Sequence, residues 1–340
     1  MKIEQNTPTI EKNVEQGIEQ REFEIPEDAY GQRLDQVVAK LLPEFSRSRL
    51  QQWIKQGKIL LNGEECKSKT KVLGGEALRV TIEQEQQGEW LAEEIPLDII
   101  YEDQSILVLN KPIGMVVHPA AGNHTGTLLN ALLHHCPELI NVPRAGIVHR
   151  LDKDTSGLLV IAKTLQAQTH LVKQLQNRAF EREYEAIVQG EMISGGTVEA
   201  AIGRHPVNRV KMAVMNNPGF SVSKGKEAIT HYRIKERYRG YTCLQVKLET
   251  GRTHQIRVHM AHLTFPVVGD QVYAGRLRLP RDCNAEFKQF LNHFKRQALH
   301  ARRLGLIHPD SGEEMSWEVE IPDDMQLLKR LLNEYTQLAE

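Results

Sequence analysis

The 340-residue chain has only four cysteines, Cys66, Cys136, Cys243 and Cys283, and no two of them form a CxxC pair. That spacing argues against a zinc ribbon and a disulfide framework, and leaves four unpaired thiols in a reducing compartment. Long apolar runs are missing too. None approaches the roughly 18–20 residues needed to cross a bilayer. The start, MKIEQNTPTIEKNVEQGIEQ, is polar and has no apolar signal core. The chain therefore reads as cytoplasmic, with no membrane partner. Charge of one sign is lacking as well: the formal net charge is -1, so any affinity for nucleic acid must come from local patches.

Cofactor motifs are equally scarce. Ala121-Gly122 and Gly195-Gly196 lack both the Walker lysine spacing and the Rossmann glycine triplet, so no nucleotide cofactor is implied. His254, His259 and His262 come without an HxxxH or HExxH pattern. His254 and His259 are an odd number apart and would point to opposite faces of a strand. No metal is expected. No internal repeat and no coiled-coil segment occurs, and a monomer is the expectation.

What is present divides into two units. Residues 1–29 are rich in acids and poor in apolar periodicity, and read as a flexible N-terminal arm. Residues 30–83 read as a compact unit. Leu34, Val37, Val38 and Leu41 follow the spacing of one helix face. Ser46 is a candidate N-cap for a second helix, with Leu50, Trp53 and Ile54 on its buried side and Gly57 at its end. A strand over Lys58 to Leu61 leads into an Asn62-Gly63 turn, and another runs from Ala77 to Ile82. Over residues 31–82 ten basic residues face five acidic ones. Residues 84–95 follow as an acidic linker: Glu83 to Glu94 holds five acids and no base, and like charges keep such a segment extended.

From Pro96 onward strands alternate with helices. Ile106 to Leu109 and Leu158 to Ala162 are short apolar runs, the second with the look of a strand buried on both faces. Leu128, Leu129, Leu132 and Leu133 repeat at helical spacing, as do Leu171, Val172 and Leu175. Tyr184, Ala186 and Val188 form one face of a strand, and Thr242, Leu244, Val246 and Leu248 another. Gln255 to His259 reads as a further strand, with Ile256 and Val258 on one side and Gln255, Arg257 and His259 on the other. Residues 326–340 read as a helical tail.

Two stretches carry candidate chemistry. Asp152-Lys153-Asp154-Thr155 has the spacing of a haloacid-dehalogenase-type nucleophile loop. That loop needs an apolar strand running directly into the first aspartate, whereas here the apolar run follows the motif. Taken alone, Asp152 is equally a loop or N-cap carboxylate, and Tyr184 a core tyrosine. Residues 204–239 hold nine basic residues against Glu227 and Glu236, interleaved with Tyr232 and Tyr238. Such a stretch tracks phosphates and stacks bases, or simply forms a solvated hairpin face.

Several segments resemble a known family. Gly146 to Lys163, GIVHRLDKDTSGLLVIAK, is similar to the signature of the RluA-type pseudouridine synthases. Asn110-Lys111-Pro112 with His118-Pro119, Arg182-Glu183-Tyr184-Glu185-Ala186, ETGRTHQIRVH at Glu249 to His259, Ala298-Leu299-His300-Ala301 and His308-Pro309 resemble further family segments in the same order. The first unit, with Ser46-Arg47-Ser48-Arg49 and Leu61-Asn62-Gly63, resembles an S4 RNA-binding domain. IPLDIIYED, VPRAGIVHRLDKDTSG and RQALHA are most similar to the subgroup acting on large-subunit ribosomal RNA.

The resemblance implies an α+β chain: a small N-terminal S4 domain of the α-L type, then a catalytic domain over 96–325 with a mixed, mainly antiparallel sheet and flanking helices. It implies isomerisation of uridine to pseudouridine without any cofactor, with large-subunit ribosomal RNA or a pre-ribosomal particle as partner. Position by position, Asp152 matches the nucleophile, Tyr184 the tyrosine packed on the target uracil, Arg257 the basic residue that pairs with that aspartate, and Arg150 the arginine that helps displace the target base. Arg47, Arg49, Lys55 and Lys58 are the RNA-contact candidates of the first unit. Transfer RNA, another ribosomal site, or a non-catalytic role in ribosome assembly are the alternatives. Asn216 to Lys226 is longer than the family pattern and leaves RNA contacts there open.

Overall fold

The computed structural model describes residues 9–13, 18–43, 45, 47–83, 90–119, 123–208, 211–215, 225–275, 279 and 283–337. Backbone contacts divide the chain into two units, one ending at Glu89 and one beginning at Trp90.

The first unit contains an antiparallel sheet of β1 (Thr9–Asn13), β2 (Ile18–Glu24), β3 (Ile59–Leu61), β4 (Glu64–Glu65) and β5 (Ala77–Glu83), in the order β1-β2-β5-β3-β4. Two helices accompany it, α1 (Leu34–Leu41) and α2 (Arg47–Lys55). Leu34, Val37 and Val38 of α1 and Leu50, Trp53 and Ile54 of α2 bury the apolar stripes that their spacing predicts, against Ile59, Leu78 and Val80 of the sheet. The expected N-cap, Ser46, lies outside the described residues.

The arm expected over 1–29 needs correction. β2 pairs with β5 along its whole length, from Ile18 opposite Glu83 to Glu24 opposite Ala77, and Ile25 and Ala29 are buried in the unit's core. Backbone pairing holds this polar strand in place, and such pairing leaves no mark in side-chain periodicity. The linker expected over 84–95 is also shorter at its far end, because Trp90 to Ile95 belongs to the second unit. Trp90 packs edge-on against His118 at 4.4 Å, and the Glu93 carboxylate accepts from the Gly126 N–H at 3.0 Å.

The second unit is built on a nine-stranded sheet. Its strands are β6 (Ile99–Glu102), β7 (Ile106–Lys111), β8 (Ser156–Ala162), β9 (Glu181–Gln189), β10 (Gly196–Glu199), β13 (Ile229–Tyr238), β14 (Tyr241–Leu248), β15 (Leu299–Ile307) and β16 (Glu314–Glu318). Between β10 and β13 in the chain, β11 (Ile202–Arg204) and β12 (Met212–Val214) form a separate pair. The main order is β10-β13-β14-β9-β15-β8-β7-β6, with β16 on β15; only β15 and β8 pair in parallel, so the sheet is mixed and mainly antiparallel. The helices are α3 (Leu128–His135), α4 (Leu165–Gln176), α5 (Gln255–His262), α6 (Ala285–His293) and α7 (Asp323–Gln337).

Both faces of the sheet are covered. Leu107, Leu109, Leu159 and Ile161 join a core with α3 and α7, while Ile106, Val108, Leu158 and Val160 join a second core with Ala167 and Leu171 of α4. This two-sided burial is why β8 is an unbroken apolar run rather than an alternating one. The expected C-terminal tail is part of the fold: α7 places Met325, Leu328, Leu331 and Leu332 in the first of these cores. Among the described residues no helix is long and apolar enough to cross a membrane.

One assignment of secondary structure is overturned. Gln255 to His259 is not a strand but the start of α5. Gln255, Ile256, Arg257, Val258, His259 and Met260 are all buried, so the helix has no polar face to reveal its period. The opposite-faces argument about His254 and His259 therefore has no strand to rest on. Among the described residues no three metal-binding side chains converge.

Candidate active site

The register of the central strands sets the site. Ala301 of β15 pairs with Gly157 at the start of β8 on one side and with Tyr184 of β9 on the other. The loop that enters β8 carries Asp152. Tyr184 therefore stands two strand spacings, about 10 Å, across the sheet from the point where that loop arrives. Gly157 is required at this crossing. Its φ is +114°, and a Cβ there would stand 2.2 Å from the Ala301 carbonyl oxygen. On the other side of β9, β14 runs out through Glu249-Thr250-Gly251 into α5, which brings in Arg257.

Asp152 is held by that helix. Arg257 Nη1 donates to Asp152 Oδ2 at 2.9 Å, while Nε and Nη2 of the same guanidinium donate to the two oxygens of Asp270 at 2.6 and 2.9 Å. Burial works against the charge of Arg257, but Asp270 and then Asp152 outweigh it and raise its pKa above the ordinary arginine value. Burial likewise opposes ionisation of Asp270, and the Arg257 guanidinium overcomes it and holds the carboxyl below the usual range. The Arg257 guanidinium also lies over the Tyr273 ring, 5.1 Å from its centre.

His254 completes this side. It caps α5 with φ +58°, a left-handed conformation that a histidine adopts at a cost. Its Nδ1 lies 2.8 Å from the Tyr273 hydroxyl, which accepts from the Met212 N–H at 2.9 Å. Its Nε2 lies 3.8 Å from Asp152 Oδ1. Desolvation lowers its pKa, against the pull of Asp152.

Below the Asp152 loop, Lys111 is fully buried and donates from Nζ to the carbonyls of Pro112, Met115 and Lys153 at 2.7, 3.0 and 3.0 Å. The ammonium's three donors are thus all used, and they tie the Asn110-Lys111-Pro112 segment to the loop carrying Asp152. Burial brings its pKa down to about 8, against the opposing effect of Asp154 and Asp152. Gln297 donates to Thr155 Oγ1 at 2.9 Å and steadies the other end of the loop.

Asp152, His254 and Arg257 border one open cleft of about 880 Å³, lined also by Arg150, Arg182, Tyr184 and Gly251. Arg150 is exposed at its edge. Tyr184 is 8% exposed, and burial raises the pKa of its hydroxyl. The four site residues expected in this unit therefore meet in one place. An ion-paired carboxylate beside an aromatic wall in a cleft of this size suits attack on a flat, polar ring compound.

Comparison with known proteins agrees. Residues 105–262 match the family model described as RNA pseudouridylate synthase, and residues 32–78 match the S4 domain. The chain is 56% identical over 315 residues to the ribosomal large subunit pseudouridine synthase D of Pseudomonas aeruginosa, covering 93% of this chain and 96% of that one. It belongs to the RNA pseudouridine synthase family. Proteins of the same name from Escherichia coli and Haemophilus influenzae are 55% identical over 302 residues and 53% identical over 316. They cover 88% and 92% of this chain, and 90% and 95% of their own lengths. Among solved structures, human RNA pseudouridylate synthase domain containing 1 superposes with a TM-score of 0.53 at 25% identity, covering 71% of this chain and 89% of the human one. Human domain containing 4 gives the same TM-score at 23% identity, over 69% and 92%.

This pseudouridine synthase combines an S4 domain with the catalytic unit. In the S4 domain, Arg47 donates to the buried carboxylate of Asp35 at 2.9 Å, alongside Arg33 and Gln51. Lys55 is exposed at the end of α2 and Lys58 is half-buried; the side chain of Arg49 and residues 216–224 lie outside the described residues. Asp270, His254, Tyr273 and Lys111 were not expected as site residues. Lys111 and His254 had a signal, each as part of a family-like segment; Asp270 and Tyr273 lie in a stretch whose local pattern says nothing about the cleft.

Proposed function

We propose that this synthase converts uridine to pseudouridine in large-subunit ribosomal RNA, with Asp152 as the nucleophile on a uridine turned out of its helix. The observation that carries this reading is the shared guanidinium of Arg257, which joins Asp152 to Asp270 at the wall of the cleft. A fixed cation beside a carboxylate orients it and balances its charge when substrate excludes water. The substrate assignment is supported by the relatives, whose name specifies the ribosomal large subunit.

The reaction breaks the N1–C1′ bond, turns the uracil, and forms a C5–C1′ bond. The C5 proton is released and N1 gains one. Atoms and electrons balance without a cofactor. Addition of Asp152 at C1′ or at C6, or a glycal route, would each use the same carboxylate. A base inside a helix must first leave the stack, at about a few kcal/mol. Arg150, exposed at the cleft edge, takes the vacated position, and the Tyr184 ring receives the uracil face for about 1–3 kcal/mol. Arg47, Arg49, Lys55 and Lys58 of the S4 domain track phosphates elsewhere on the RNA. Arg47 does so from a position fixed by Asp35.

The test is tritium release from large-subunit RNA labelled at uridine C5. The wild type should release it. A folded Asp152→Asn protein that binds the same RNA should release none. Release by that variant, or release by the wild type from transfer RNA alone, would overturn the reading.

A further inference from the structure

Arg182 stands out from the other ionic groups around the cleft. It is 6% exposed and lines the cleft wall. Among the described residues no carboxylate pairs with it. Its Nη2 donates to the Glu249 main-chain carbonyl at 2.9 Å, and its Nε has no hydrogen-bond partner. A buried guanidinium is normally compensated by an anion, as Arg257 is by Asp270 and Arg296 by Asp324. Desolvation pulls the pKa of Arg182 down from its ordinary value, and the nearby Tyr184 offsets this only in part.

The turn into α5 lies close to this group: a Cβ at Gly251 would stand 2.7 Å from Arg182 Nη1, so a side chain there would displace the end of the guanidinium from its present place. Arg182 and Tyr184 are alternate residues of β9 and share a face, about 7 Å apart. A nucleotide whose base lies on Tyr184 spans that distance to its own backbone. Arg178, also on the cleft wall, is already held by Glu227 and Glu249 at 2.6 and 3.0 Å and has no comparable need of an anion.

We propose that Arg182 is a phosphate-binding residue: it takes a backbone phosphodiester of the nucleotide held against Tyr184 and thereby positions the target ribose over Asp152. The proposal rests on the reading of the cleft as the uridine site. Phosphate supplies the missing counter-charge and an acceptor for Nε, and a planar guanidinium suits its paired oxygens.

The experiment compares wild type, Arg182→Lys and Arg182→Gln with C5-tritiated large-subunit RNA, by filter binding at stepped salt concentrations and by tritium release. Each variant is first checked for native unfolding behaviour in urea. Loss of one phosphate contact should flatten the slope of log K against log salt by about 0.7–0.9 for Arg182→Gln. Its KM should rise about tenfold or more, with kcat less affected. Arg182→Lys, which keeps the charge, should restore the slope. A slope for folded Arg182→Gln equal to the wild type's, or a loss that lysine does not repair, overturns the proposal. Absence of tritium release by the wild type overturns the substrate reading instead, and the binding slopes still decide whether Arg182 meets a phosphate.

Discussion

Arg257 reaches Asp152 with one nitrogen, at 2.9 Å, while its other two are held by Asp270 at 2.6 and 2.9 Å. The guanidinium's orientation is set by Asp270, which is fully buried, and not by Asp152, which faces the cleft. A second carboxylate behind the arginine thus orients the cation that holds Asp152, the proposed nucleophile.

Asp270→Asn should therefore lower kcat by about a hundredfold, because misplacement of a reacting group by about 1 Å costs that much. RNA affinity should change little. Breaking the buried pair should also cost stability, about 3–5 kcal/mol. Single-turnover rates and urea unfolding check both, and a kcat within twofold of the wild type would refute the positioning role.

Tyr184 separates stacking from acidity. Tyr184→Phe keeps the ring and should retain RNA affinity within a few-fold. Tyr184→Ala should lose about 1–3 kcal/mol of binding from stacking, together with about 3–5 kcal/mol of stability from the cavity left among Ala186, Val246 and Ala301. Equal affinities for the Phe and Ala proteins would show that the ring is only a core residue.

Gly157→Ala tests the crossing that brings the Asp152 loop beside β15. With φ at +114° and the Ala301 oxygen 2.2 Å from the new methyl, the strands must part. The loss should exceed about 3 kcal/mol, above the range of most single substitutions. A urea midpoint near that of the wild type would show that the crossing relaxes freely.

His149 predicts an acid limit. Its Nε2 accepts from the Val160 N–H at 3.2 Å, which requires the neutral ring. Desolvation, helped by the Arg182 charge, lowers its pKa to about 3. The folded value lies below the ordinary histidine value of about 6.5, so between these two pH values the unfolded chain binds more protons. The contribution of His149 is complete above pH 6.5 and drains away as pH falls toward 3. Thermal unfolding of wild type and His149→Gln from pH 7 to pH 4 should show the wild type losing stability faster. Parallel curves would contradict the assignment.

Much of this protein is legible without coordinates. The apolar stripes of α1 and α2 and the two-sided burial of β8 follow from spacing that solvent exclusion enforces locally. Asp152, Tyr184 and Arg257 are singled out only by segments resembling a family, since nothing in the chemistry of their chain neighbours distinguishes a nucleophile from a loop aspartate.

Tertiary structure decided the rest. β2 is polar, and pairing with β5 made it a strand. Residues 255–260 are buried all round, so their helix carries no readable period, and its alternating polar and apolar residues mimic a strand. Asp152 and Arg257 meet across 105 positions of chain, Asp270 joins them from a loop, and among the described residues no carboxylate pairs with Arg182 in the folded cleft. Residue type and spacing record what a segment buries against its nearest neighbours along the chain. Which charges share a cleft, and which is left uncompensated there, depends on contacts that exist only once distant segments have packed.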